Sequence, residues 1–289
     1  MTVRTLQVCA AIFTLLLPSL AVRAETGVSP SEIRVGMVNA QSGPAAMLGT
    51  AIQTGAEAYF RRINAAGGVH GRQITLVVKD DGYEPARTVA LTQQLIEQEN
   101  VFALFGYVGT PTSRAAVPLV MQAQIPYLFP FTGAASLRKP VKPWVFNLRA
   151  SYIEETEALV ERLTQDLGIK KVALMMQDDS FGESVKSGVN GALGKRDLQI
   201  YAEARIQRNS LDINAAVKRL KLAEPEAIIF VGTYQQLTAA IKQAKATGLN
   251  ARFVTVSFIG TKPFLAMAGA DGDGVYISQV VPSPDDPSI

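Results

Sequence analysis

From Ile33 onward the chain alternates short runs rich in branched apolar residues with longer segments of helical period. That alternation constrains the fold more than any other feature, because parallel strands can be joined only by long crossovers, usually helices. Residues 33–39, 74–79, 101–105 and 125–129 read as strands, with helices at 50–66, 85–98 and 110–122 between and after them. In the first helix Ile52, Tyr59, Phe60 and Ile63 fall close to one face, and Gly67-Gly68 ends it by accepting the left-handed turn of a helix stop. Pro85 suits the first position of the second helix, where no amide is needed. The run 125–129 is continuously apolar, as in a strand buried on both faces.

Residues 130–143 break the rhythm with Gly133, Pro140 and Pro143, and a second cycle follows. It comprises helices at 152–167, 184–195, 211–222 and 234–247, and strands at 171–176, 199–206, 227–231 and 253–257. The expected fold is therefore α/β, with two Rossmann-like lobes of parallel sheet covered by helices and a hinge between them. Lobe 1 takes residues 25–148 plus 276–289, and lobe 2 takes 149–275. The run 275–281 reads as a strand crossing back to lobe 1, which would leave that lobe incomplete with part of its sheet uncovered. A truncated or frameshifted product that aggregates is the expectation.

Residues 1–24 read as an export signal: Arg4, an apolar run from Val8 to Leu20 broken by Pro18, then Val22-Arg23-Ala24 before the expected cleavage. The run is short for the ~20 residues that span a bilayer. Removing the segment takes Arg4 and Arg23 off a formal net charge of +3, so a nucleic-acid partner has no support. Cys9, the one cysteine, leaves with it. With His70 as the one histidine, set in a glycine-rich turn, neither a metal site nor thiol chemistry is expected, and no cofactor is called for.

In open parallel sheets ligands bind beyond the carboxyl ends of the strands. That rule selects the loops Gln41-Ser42-Gly43, 106–112, Phe131-Thr132-Gly133, 178–182, Gly232-Thr233-Tyr234 and Ser257-Phe258. They are rich in glycine and small hydroxyl residues, as a binding cleft needs. Thr110 at a helix start adds unpaired amides and partial positive charge, a seat for an anion.

At these loops the chain resembles the periplasmic branched-chain amino-acid-binding protein family. The resemblance rests on Gln41-Ser42-Gly43-Pro44, Gly55-Ala56-Glu57, the exit Ile63 to Gly71, Asp80-Asp81, Gly106 to Ser113, Pro126 with Pro130, Asp178 to Gly182 and Ala244 to Leu249, in this order and spacing. It implies a type I periplasmic-binding architecture whose lobes close on a small solute and deliver it to the membrane permease of an ABC importer. It also implies a periplasmic location. By the same resemblance Thr110 would offer a hydroxyl to a ligand carboxylate, and Phe131 and Gly133 amides. Phe181, with Thr233 or its neighbour Tyr234, would form an aromatic wall, and Leu48 another part of it. Ser257 stands where amino-acid binders carry an acidic residue for the ligand's ammonium, so Asp178 or Glu155 would have to supply that charge. The expected ligand set is Ser42, Thr110, Phe131, Thr132, Gly133, Phe181, Thr233, Tyr234 and Ser257. The expected ligand is a small carboxylate-bearing solute, either branched-chain amino-acid-like or an aromatic or aliphatic acid.

Competing readings are weaker. Asp80-Asp81 and Asp178-Asp179 follow strands, where Asp serves backbone amides. Gly106 to Gly109 lacks the spacing and ending of a phosphate loop. Arg149 could meet a ligand carboxylate or pair with Glu154 or Glu155. A hydrolase would need a nucleophile with a base, and no Gly-x-Ser-x-Gly elbow or histidine partner falls in the cleft loops, so no enzyme is expected. A ligand-binding receptor domain of a signalling system is the alternative function.

Overall fold

The computed structural model describes residues 25–282, so the expected export signal and residues 283–289 lie outside the described residues. The first half contains β1 (Glu32–Asn39), α1 (Ala46–Ala65), β2 (Gln73–Asp80), α2 (Pro85–Glu97), β3 (Ala103–Phe105), α3 (Thr110–Ala123), β4 (Tyr127–Leu128) and β5 (Val145–Phe146). Its five strands are all parallel, in the order β2-β1-β3-β4-β5.

The second half contains α4 (Tyr152–Glu161), β6 (Val172–Gln177), α5 (Ser180–Gly194), β7 (Glu203–Ile206), α6 (Asn214–Ala223), β8 (Ala227–Val231), α7 (Tyr234–Thr247), β9 (Arg252–Thr255), α8 (Thr261–Ala268) and β10 (Tyr276–Ile277). These strands form a second parallel sheet, β10-β9-β8-β6-β7.

The two sheets differ in cover. Every residue of β6 and β8 is buried, as strands clad by helices on both faces must be. In the first sheet β2 is only partly buried, and Phe129 and Phe146 remain 42% and 47% exposed.

Several boundaries depart from the sequence reading. Helix α1 starts at Ala46, before residue 50, and α5 at Ser180 rather than 184, because Asp179 caps α5 by accepting from the Phe181 amide at 2.8 Å. The strand expected at 199–206 shrinks to its last four residues. A short strand, β5, lies beyond the proline-rich break and was not expected. The run 275–281 does not return to the first sheet: Tyr276 and Ile277 pair in parallel with Val254 and Thr255 of β9. Residues 276 and 277 therefore belong to the second sheet, not to lobe 1.

Candidate functional site

The carboxyl ends of the two sheets face each other, and the loops leaving them meet. The turn after β2 touches the turn after β7: Asn209 Nδ2 donates to the Gly82 carbonyl at 3.0 Å and to Glu84 at 2.7 Å, and Arg208 pairs with Glu84 at 3.2 Å. The start of α1 touches the start of α7, where the Met47 amide donates to the Tyr234 hydroxyl at 3.3 Å.

Between these contacts lies a wall of five aromatic rings drawn from both halves. Phe258, fully buried, has ring centroids of Phe181 at 4.5 Å, Phe131 at 5.6 Å and Tyr83 at 6.1 Å. Tyr152 lies 5.4 Å from Phe181. Rings at such spacings gain from offset and tilted packing as well as from burial.

One end of the wall is polar. The Thr110 and Thr132 hydroxyls are buried and 2.7 Å apart. Helix α3 starts beside them at Gly109, which provides no side-chain cap, so the positive end of the helix lies next to the two hydroxyls. The Arg149 guanidinium stacks 4.1 Å over the Phe131 ring and donates to the Ser257 hydroxyl, while its Nε is buried without a partner. The buried Tyr152 hydroxyl faces the Thr132 hydroxyl. Burial pushes the Tyr152 hydroxyl up to about 12, with Arg149 and the Thr132 hydroxyl pulling it down and Glu155 pushing it up.

The opposite end holds the buried Tyr83 hydroxyl next to the Gln177 side chain, beside Asp179, which takes bonds from Gln177 at 3.1 Å and Arg208 at 3.2 Å. Burial raises the Tyr83 hydroxyl well above its ordinary value, and the Asp179 charge adds to that. Buried polar groups at both ends of an apolar wall suit a small solute with a polar head and an apolar body.

The expected ligand set divides on this geometry. Thr110, Thr132, Phe131, Gly133, Phe181 and Ser257 come together at or beside the wall. Three others are committed elsewhere. Ser42 donates to Asp80 at 2.6 Å and, with the Gln41 amide at 2.9 Å on the same carboxylate, fixes its own loop. Thr233 caps α7, accepting from the Gln236 amide at 3.4 Å, while Gln236 Oε1 accepts from the Thr233 amide at 3.1 Å. Tyr234 ties the halves together through Met47.

The amide role implied for Phe131 also fails, because that amide donates to the Tyr107 carbonyl at 2.7 Å. Asp178 is taken by Arg205 at 2.6 Å. Arg149 makes no ion pair with Glu154 or Glu155: Glu154 caps α4 with Ser151, receiving the Ser151 amide at 2.7 Å.

Tyr83, Tyr152, Gln177 and Phe258 were missing from the expected set. Phe258 stood in a selected loop and could have been taken from it. Tyr83 follows β2, a strand at the sheet edge that the carboxyl-end rule passes over.

Comparisons agree with this architecture. A family model described as Periplasmic binding protein matches residues 32–289. An amino acid binding protein of Pseudomonas aeruginosa is 24% identical over 87% of this chain and 68% of its own length. A Leu/Ile/Val-binding protein of Citrobacter freundii is 23% identical over 86% of this chain and 67% of its own. Among solved structures, one from Rhodopirellula baltica, described as a possible leucine/isoleucine/valine-binding protein, superposes with a TM-score of 0.84 at 34% identity. It covers 91% of this chain and 71% of that one. A substrate-binding periplasmic protein from Ralstonia solanacearum gives 0.83 at 30% identity over 88% and 72%. With a parallel sheet on each side of an aromatic-lined meeting point and a family match over nearly all its length, the chain belongs to the periplasmic binding protein family and binds solutes rather than transforming them.

Proposed function

We propose that this protein captures a small carboxylate-bearing solute between its two halves and presents it to the membrane permease of an ABC importer. The observation that carries the reading is the buried Thr110–Thr132 hydroxyl pair at the start of α3, which has no side-chain cap, beside an aromatic wall built from both halves. Hydroxyls and helix-terminal amides favour an anion, and the rings favour an apolar body. Arg149, with a buried Nε that lacks a partner, adds a positive charge at the same end. Two halves that each supply part of one wall gain contacts only when they meet, so a solute spanning them favours the closed arrangement. The names of the relatives from Pseudomonas and Citrobacter support an amino-acid-like solute, and those of the family and its members support delivery in the periplasm after export.

The test is calorimetry on the purified protein with a panel of amino acids and of aliphatic and aromatic acids, repeated with Thr110→Ala. Hydrogen bonds to a charged group contribute about 1.5–3 kcal/mol net, so Thr110→Ala should weaken binding of the best ligand at least tenfold. Unchanged affinity would remove the carboxylate seat from α3.

A further inference from the structure

Solute capture uses the carboxyl ends of the two sheets and leaves the opposite end of the second sheet without a role. There, at the amino ends of β6 and β7, a cavity of about 300 Å³ is lined by Thr164, Gln165, Lys170, Arg196 and Leu198. Thr164 and Gln165 come from Arg162–Asp166, where the helix that continues α4 widens into a π turn, a feature that recurs at functional sites. Arg196 follows the end of α5, and Lys170 and Leu198 precede β6 and β7. The Arg196 side chain is only 15% exposed. Its Nη1 donates to Glu157 at 2.7 Å and to the Ala192 carbonyl at 2.9 Å, but its Nε is buried with no hydrogen-bond partner. A buried cationic N–H without an acceptor is costly until one reaches it.

The carboxylates nearby are engaged elsewhere. Glu157 gives one oxygen to Arg196 and the other to Lys195 at 2.8 Å. Glu226 accepts from the Lys170 and Lys171 amides at 2.9 and 2.8 Å, and Asp166 pairs with Arg162 at 2.8 Å. No acidic side chain lines the cavity, and the exposed Lys170 ammonium makes no ion pair or hydrogen bond among the described residues. The Thr164 hydroxyl is already donated to the Val160 carbonyl at 2.7 Å, which leaves Arg196, Lys170 and the Gln165 amide as donors. Two cations and an amide around a cavity without carboxylates fit an oxyanion, and a guanidinium edge beside an ammonium suits the tetrahedral oxygens of a phosphate. We propose that this cavity binds a phosphate group, free or carried on a lipid headgroup, with Arg196 Nε as the central donor and Lys170 as the exposed counter-charge, at the end of the second sheet remote from the solute.

Heteronuclear NMR observes arginine Nε–H groups directly, so the test follows the Arg196 Nε–H signal of the purified protein, identified by its loss in Arg196→Lys. Inorganic phosphate, glycerol 3-phosphate or, as control, chloride is added. Both phosphates should move the signal to saturation and chloride should not. Lys170→Gln, an exposed change, should weaken phosphate binding about 2- to 5-fold. Arg196→Lys keeps a charge for Glu157 but removes the Nε donor, and should weaken it about 10- to 100-fold, read from the backbone amides of residues 165 and 170. A shift that is absent, unsaturable or equal with chloride overturns the site even if Arg196→Lys does not fold, as does unchanged affinity in Lys170→Gln. Sedimentation with phosphatidylglycerol vesicles distinguishes the two sources. Co-sedimentation that glycerol 3-phosphate displaces assigns the cavity to a lipid headgroup, and a phosphate shift without co-sedimentation assigns it to a soluble phosphate.

Discussion

The ring of Tyr83 fills the space that a side chain at Gly109 would need: a Cβ there would lie 2.2 Å from Cε2 of Tyr83. Gly109 is also at φ +98° as the N-cap of α3. A side chain at this position therefore meets two obstacles, the steric cost of an extended backbone at positive φ (ψ 158°), about 1–3 kcal/mol, and the displaced ring. Gly109→Ala should lower the melting temperature and weaken ligand binding. Because part of the loss comes from the ring, the double variant with Tyr83→Ala should lose less than the two single losses added together. Strict additivity in thermal melts would show that the ring does not constrain residue 109.

The same pair marks where sequence reading ends. The apolar runs of β6 and β8 declare buried parallel strands directly, and the alternation with helical segments suffices for two α/β units. The place of Tyr83 depends on successive left-handed residues, Gly82 at φ +57° and Tyr83 at φ +64°, which swing a ring from an edge strand into the meeting point. No local pattern announces that. Glu154 and Glu155 are chemically identical neighbours, and only the packing of α4 decides which one caps and which is buried. Thr233-Tyr234-Gln235-Gln236 does carry a legible capping-box spacing, and in the structure the Thr233 hydroxyl serves the start of α7. The run 275–281 is apolar enough to serve either sheet, and its pairing with β9 is a tertiary choice.

Arg208 and Asn209 form the polar tie between the halves on the β2 side. Asn209 sits at φ +59°, so Asn209→Gly preserves the backbone while deleting the bonds to Gly82 and Glu84. With Arg208→Ala it should weaken ligand binding about 2- to 10-fold for each hydrogen bond removed, from about 0.5–1.5 kcal/mol apiece. Most of the change should fall on the dissociation rate, with little effect on the unliganded melting temperature. Stopped-flow release together with small-angle scattering of the liganded form would check this, and an unaltered release rate would show that the tie contributes nothing to closure.

Phe258 and Phe230 are both fully buried, yet they serve different ends. Phe230 lies within β8, inside the second sheet's own core, so Phe230→Ala should cost about 3–5 kcal/mol of stability. Phe258 is buried partly by Tyr83 and Phe131 from the other half, contacts that exist only while the halves meet. Phe258→Ala should therefore reduce ligand affinity strongly and lower the unliganded melting temperature less than Phe230→Ala does. Denaturant titration without ligand, followed by calorimetry, separates the two; equal losses of stability would place Phe258 in a permanent core.

Asp80 and Asp81 should respond to acid in opposite senses. Burial alone would raise the Asp80 carboxyl, but the Ser42 hydroxyl and the amides of Gln41, Gly82 and Ser42 outweigh it and hold it below its ordinary value of 3.8. A depressed carboxylate stabilises the fold fully above its unfolded pKa, and the contribution disappears as pH falls through the folded one. Asp81 lies the other way: burial raises it above 3.8, against bonds from Thr88 and the Tyr83 amide. Its ionised form costs stability at neutral pH, and that cost is relieved on protonation. The destabilisation caused by Asp80→Asn should thus shrink as pH drops from neutral toward about 2, while that caused by Asp81→Asn should grow over the same range. Urea unfolding of both variants and the wild type across this range reads the two slopes, and slopes of the same sign would mean that the loop after β2 does not hold the two carboxylates in these contrasting environments.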